Sequence, residues 1–430
     1  VNAALPSRHG PQTALLVVLG VLVLLPIGRT AELPILIGAV AGIVLMLRGR
    51  LAPLADPAMR LAVVLFACYW LPIVLSGFAA VLPQKTWMTA AETLRFLPFA
   101  LFAVWALRKP DVWPSLGFAI AALVGLWLID AWIQFVTGYS LGGAPERERL
   151  SGIFGADNLK LGPVLVVLAP FFLLGARQLG GRFGLLLALV FMLVPVLLSG
   201  SRAAWLSYVL VCVAFAWRET RSLRRFVPLL LGATIAIVVL VGMVWRDTNG
   251  LDARIERSLL ALQGTSQSID DASAGRLSIW RTAIAMIRAH PLTGVGVRGF
   301  RNDYPDHALP GDRFVDAKTQ TGASHAHQIV LEVLSETGLF GLLAWIVGAA
   351  CAIRAWMRAD SLARTRAFAP GLALVVMCFP LNTHFAFYSA WWGLFFWWLL
   401  ALYCSALAFP AQQAQRDAGD QRGAADQHAP

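Results

Sequence analysis

Two histidines one residue apart, His325 and His327, stand in the string GASHAHQIVLEVLSETGLFGLL, and Glu332 and Glu336 follow at helical spacing. An imidazole that is neutral near physiological pH can take a proton from a hydroxyl, so the pair is the leading candidate for a general base. The same spacing could offer two ligands to a metal ion, but no third or fourth ligand stands nearby in the sequence, so no metal is assigned to it. The other chemically able groups are arginines, which make up 31 of the 35 basic residues. Arg202, in LLSGSRAAWL, lies between two apolar stretches with almost no loop around it. A cation there costs ~2.5–3.5 kcal/mol at mid-membrane and less near the edge, so Arg202 must face a polar cavity, a carboxylate or an anionic ligand. Arg276 opens AGRLSIWR, and Arg281 and Arg288 follow it, with surface arginines reaching for lipid phosphate as their plainer reading. Arg298 and Arg301, in TGVGVRGFRNDY, can present guanidinium groups beside exposed backbone N–H groups. Several such forks together suit a diphosphate, which they bind bidentately. GVGVRG by itself matches no nucleotide fingerprint in this context. Of the remaining histidines, His9 and His428 are in terminal stretches, His290 and His307 read as lone loop residues, and His384 lies in an NTH turn where it could line a cavity.

The elements that must position these groups are apolar. Of 430 residues, 58% are hydrophobic and only 14% charged, with a mean hydropathy of +0.68. Soluble domains are about a quarter charged, so this composition excludes a soluble enzyme, a disordered scaffold and, despite an isoelectric point near 10.0, a nucleic-acid module. The five cysteines lie in apolar runs without CxxC spacing and read as small hydrophobes.

A bilayer core of ~30 Å needs ~20 apolar residues per helix. Twelve stretches qualify as spans: 13–28, 33–47, 61–82, 93–107, 112–136, 161–175, 183–198, 203–217, 226–245, 328–353, 367–383 and 386–408. The first is read as a retained helix, since no small-residue cleavage site follows it. With both termini cytoplasmic, the inner segments carry 18 basic residues and the short outer loops only 6, as the positive-inside rule requires. The expected organisation is an all-α membrane protein with transmembrane helices 1–9 over 1–245, a large periplasmic loop over 246–327, transmembrane helices 10–12 over 328–408 and a disordered cytoplasmic tail over 409–430. Within the loop, Leu277, Trp280, Ile284 and Ile287 recur at helical spacing and predict an amphipathic helix in the outer headgroup region. Residues 263–275 are small and polar and read as mobile. Trp391, Trp392, Trp397 and Trp398 read by default as interface anchors. Asp130 lies within the fifth span, with pairing to Arg95 as its plain explanation.

The order GSRAA, GRLSIW, GVGVRGF and HAHQ followed by ETGLFGLL resembles the O-antigen ligase/polymerase superfamily of integral-membrane glycosyltransferases, and the O-antigen ligases above all. The likeness covers roughly 145–345, while the earlier spans match mainly in topology. It implies a GT-C-like fold. The implied donor is undecaprenyl-diphosphate-linked O-antigen, and the implied acceptor is lipid A–core, on the periplasmic face of a bacterial inner membrane. The implied chemistry is inverting and needs no metal, nucleotide or other cofactor. Carried over residue by residue, Arg202 and Arg276 match the family's diphosphate-binding arginines and the HAHQ histidines its catalytic motif. His327 is favoured because it directly precedes the amide, which is Gln328 here where relatives usually have Asn. Gln328, Glu332, Arg281 and Arg288 are supporting candidates beside Arg298 and Arg301.

Three rival readings remain. An O-antigen polymerase joins one lipid-linked glycan to another, and Arg288 to Gly299 does match an Arg-x10-Gly string described for some of them. Those polymerases carry two substantial loops, whereas one loop dominates here. A protein O-oligosaccharyltransferase often carries an added C-terminal domain, which a short polar tail does not supply. A secondary transporter would place its polar site near the bilayer midplane, but the unusual charges here cluster at one face.

Overall fold

The computed structural model describes residues 10–143, 149–156, 158–222, 224, 227 and 275–408. Among these the regular structure is helical: α1 Gly10–Leu24, α2 Glu32–Leu47, α3 Pro57–Gly77, α4 Pro83–Thr93, α5 Phe96–Ala106, α6 Val112–Thr137, α7 Leu161–Leu198, α8 Arg202–Thr220, α9 Arg276–Ala289, α10 Phe300–His307, α11 Ile329–Arg358, α12 Ser361–Met377 and α13 Ala390–Ala406. Four of them, α3, α6, α7 and α11, are long and apolar enough to cross a membrane by length and composition, and α1, α2 and α13 contain shorter apolar stretches. Their outward faces carry large exposed apolar side chains such as Ile37, Val40, Leu71, Phe118, Ile129, Leu187 and Val347. Such a surface is suited to lipid.

Each apolar stretch expected to span coincides with a helix, except 226–245, of which only 227 is described. The stretches 161–175 and 183–198 form one run broken at Gly180 and Gly181, where Gly181 takes a φ of 61°. The segments 228–274 and 409–430, which hold the rest of that span, nearly all of the polar stretch 263–275 and the tail, lie outside the described residues.

Helix α13 is the axis of the bundle. From Trp392 to Ala406 every residue is buried, as an all-round apolar helix must be when other helices surround it. This overturns the expectation of interface anchoring for its tryptophans. Trp397 and Trp398 are fully buried, the Trp398 indole N–H donates to the Val18 carbonyl at 2.8 Å, and that of Trp391 donates to Leu25 at 3.3 Å. The Asp130–Arg95 pair does not form either. Arg95 forks onto Glu32 at 2.8 and 2.9 Å, while Asp130 accepts the Leu141 N–H at 2.8 Å and so ties down the chain after α6.

Helices α9 and α10 form a small second core, with Ile279, Ala283, Met286, Val295, Phe300 and Tyr304 packed on Ala323 and Ala326. The buried face of α9 is Ile279, Thr282, Ala283 and Met286. The expected stripe of Leu277, Trp280, Ile284 and Ile287 lies to one side and is less buried, with Ile284 41% exposed. Periodicity found a two-sided helix but chose the wrong face, because alanine and threonine line the true one and carry little hydropathic signal.

This module is fixed to the bundle by a break in α11. Gly338 takes φ 64°, ψ −161° inside the helix, which releases backbone groups from the i→i−4 ladder. The segment before α10 claims them: Val295 N–H donates to Ser335 O at 2.8 Å and Gly296 N–H to Glu336 O at 3.1 Å, while Leu339 N–H donates to Pro291 O at 2.9 Å. The Glu336 carboxylate accepts the Arg298 N–H at 3.1 Å. The ETG and GVG motifs are therefore two halves of one joint. A Cβ on Gly338 would strike the Leu292 carbonyl and also face a left-handed φ. Gly338→Ala should destabilise the purified protein by about 2 kcal/mol or more and speed proteolysis of the α9–α10 module. Gly117→Ala, mid-helix with nothing within 4 Å of the new methyl, should instead stabilise it by about 0.5–1 kcal/mol. Equal melting temperatures for the two variants would contradict the joint.

Candidate active site

His327 sits at the turn where the module re-enters the bundle. Its φ of 53° is left-handed, a cost of about 1–2 kcal/mol for a residue with a Cβ. The next residue, Gln328, is extended and caps α11, its side-chain oxygen accepting the Leu331 N–H at 2.6 Å. The amide retained here thus serves the helix N-terminus, which the longer Gln side chain still reaches.

The His327 ring is oriented by one contact. Nδ1 lies 2.8 Å from the Thr383 carbonyl oxygen. A carbonyl can only accept, so Nδ1 carries the proton and the lone pair of the neutral ring is on Nε2. The Thr383 turn is itself held, because the Asn382 side-chain amide donates to the Val376 and Met377 carbonyls that end α12. His325 packs beside His327 with ring centroids 3.9 Å apart, and its Nδ1 meets the Ser324 hydroxyl at 2.9 Å. Helix α9 docks on the same turn through the Trp280 indole N–H, which donates to the Ala326 carbonyl at 3.1 Å.

Arginines from separate parts of the chain act electrostatically on these rings. Arg276 begins α9 directly after Gly275, whose φ of 81° and contact with the Arg313 guanidinium leave no room for a side chain. Burial and the neighbouring charge of Arg202, at the start of α8, pull the Arg276 pKa down to about 10. Arg202 and Arg276 therefore act on each other in a half-buried place, and guanidinium forks are the side chains best suited to bidentate contact with an anion. Burial, followed by the charges of His327, Arg298, His384 and Arg276, holds His325 well below the usual imidazole range. His327 is lowered by burial and by Arg276, against the raising effect of its bond to Thr383. His384 is pushed down to about 4 by burial, Arg276, His327 and Arg149. All three rings are therefore neutral at physiological pH.

Arg276 and Arg298 thus act on His325, Arg276 also acts on His327, and Arg202 joins the group through Arg276. The other candidates stand apart from it. Arg281 and Arg288 are exposed on α9, and Arg301 is exposed with its charge acting on Asp316. Glu332 and Glu336 are buried on α11 and hold backbone: Glu332 accepts the Tyr388 N–H at 3.4 Å and Glu336 that of Arg298. Arg298 faces both glutamates and also lines a polar cavity of about 230 Å3 with Arg29, Lys85, Glu92 and Arg95. The sequence reading missed Arg149 and the Thr383 carbonyl, and it gave His384 no chemistry. The NTH turn directly before the central helix was the available signal.

Residues 187–346 match a family model described as O-Antigen ligase. Over that stretch the chain is similar to the O-antigen ligase family, and the match covers less than half of its length. The matched stretch contains Arg202, Arg276, Arg298 and both histidines, whereas Arg149 and His384 reach the group from outside it. No curated protein matches the chain.

Because only the neutral ring reacts with diethyl pyrocarbonate, the rate of His327 modification, followed by mass spectrometry, should fall as pH drops through a midpoint below about 6.5. Arg276→Gln removes a repelling cation and should move that midpoint upward. A midpoint above the ordinary imidazole value in the unsubstituted protein would contradict the arrangement.

Proposed function

We propose that the protein is an O-antigen ligase, transferring glycan from undecaprenyl diphosphate to a terminal sugar of lipid A–core on the periplasmic face of the inner membrane. The observation that carries this reading is the His327 tautomer, with Nδ1–H held by Thr383 so that the lone pair is on Nε2, in a ring on which the Arg276 charge acts. In the reaction, Nε2 takes the proton of the acceptor hydroxyl while its oxygen attacks the anomeric carbon in line. The bond from that carbon to the diphosphate oxygen breaks, and its electron pair leaves with the diphosphate. Arg202 and Arg276, joined by Arg298, stabilise the negative charge that grows there. Attack from the face opposite the leaving group inverts the anomeric configuration.

Two cavities support the substrate class. An apolar groove of about 660 Å3 between α3, α11, α12 and α13 is lined by Leu65, Trp345, Phe368, Phe379 and Phe387, and could take a polyprenyl tail. Pro380 and Tyr388, which flank the turn carrying Thr383 and His384, also line it. The basic cavity at Arg298 suits an anionic acceptor core. In this reading 275–327 belongs to a periplasmic loop, both termini are cytoplasmic, and no cofactor takes part.

With purified lipid-linked donor, the protein should glycosylate lipid A–core and ignore a second lipid-linked glycan. Transfer to the second glycan instead would make it a polymerase. His327→Ala should lower ligation by about 10²–10⁴-fold. Arg202→Ala should weaken donor use without changing His327 modification. Near-normal turnover by His327→Ala removes the base from this mechanism.

A further inference from the structure

A second group of chemically able side chains lies outside the imidazole–arginine site. His290 closes the C-terminal end of α9, and Asp303 and His307 stand one helical turn apart on α10. In the sequence the two histidines look isolated, with 16 positions between them. In the fold their rings are 6.3 Å apart at 89°, and Asp303 lies with them. One ligating atom from each of the three falls within 4.8 Å of the other two.

Asp303 is the telling member. It is 5% exposed, and its Oδ2 has no hydrogen-bond partner among the described residues. Oδ2 does lie 3.1 Å from His307 Nε2, but without hydrogen-bond geometry. That distance is close to the ~3.3 Å edge between two ligands of a tetrahedral ion with bonds of ~2.0 Å. A plain Asp303–His307 ion pair accounts for two of the three groups but not for the His290 ligand atom, which lies within 4.8 Å of both.

We propose that His290, Asp303 and His307 bind a divalent transition-metal ion, best matched to zinc. Two imidazole nitrogens and one carboxylate oxygen are a borderline donor set of the kind zinc favours, with water free to complete the tetrahedron. The ion's place is structural. Helix α9 has 14 residues, so its His290 end stands about 20 Å along the axis from Arg276. Between His290 and Asp303 runs the segment that shares its hydrogen bonds with the break at Gly338. Joining the two helices across that segment fixes the base of the module whose other end carries Arg276.

Helix α10 sets Asp303 and His307 in register, and His290 joins them across irregular chain. The backbone is tied on both sides: His290 N–H donates to Met286 O at 2.9 Å, Gly294 N–H to His290 O at 3.1 Å, and Asp303 N–H to Gly299 O at 3.1 Å. Only the side chains need adjust to close around an ion.

The test uses the full-length protein in detergent without a histidine tag, stripped with chelator and then equilibrated with zinc chloride. Elemental analysis should find about one zinc per chain, and the melting temperature should rise with zinc. Cobalt in place of zinc should give the visible absorption of a tetrahedral site, a readout that needs no variant. His290→Gln and His307→Gln should each lose the ion while remaining monodisperse, whereas His325→Gln should keep it. Substoichiometric zinc with no shift in melting would overturn the proposal. So would full zinc retention by both His290→Gln and His307→Gln, or loss of the ion from His325→Gln alone.

Discussion

The structure depends on a trade of backbone hydrogen bonds at one glycine. Where α11 breaks at Gly338, the carbonyls of Ser335 and Glu336 and the N–H of Leu339 lose their helical partners, and residues 291–296 take them up. Unpaired backbone groups in an apolar bundle are costly, so neither side is stable without the other. This constraint gives the α9–α10 module one seat on the membrane helices. With the seat fixed, Arg298 lies over the glutamates of α11, and Trp280 rests on the turn that presents His325 and His327.

Electrostatics in the site follow from what surrounds the rings. Cations and desolvation act in the same direction on His325, His327 and His384, and both oppose protonation. A carboxylate partner on His327 would have raised its basicity and favoured the charged ring. A neutral carbonyl, that of Thr383, orients the ring without charging it. The buried acids of α11 are turned instead toward backbone N–H groups and Arg298. The site thus keeps proton acceptors neutral beside guanidiniums that stay charged.

Much of this was legible in the residues themselves. The apolar stretches located the long apolar helices, since burial and lipid contact both demand such runs, but the polar helices α4 and α10 went unread. The HxH string and the arginines at AGR and GSR were visible because such groups are expensive beside hydrocarbon. The faces of helices were harder to read. Alanine and threonine line the packed side of α9, and the tryptophans of α13 are core, since a membrane bundle hides its apolar interior among equally apolar exteriors. Interactions between distant segments left no local trace: the charge of Arg149 acting on His384, Arg95 on Glu32, and His290 beside Asp303 and His307. Nothing in the spacing of those residues distinguishes them from solitary ones.

The central position of α13 bears on biogenesis. The helix that fills the middle of the bundle comes late in translation order, after α3, α5 and α12, which pack around it. Those neighbours leave the ribosome with their inner faces still facing lipid or one another, and the Val18 carbonyl waits for a tryptophan 380 positions downstream. Tight packing is therefore a terminal event, reached only when residues 390–406 slide into a vacancy lined by earlier helices.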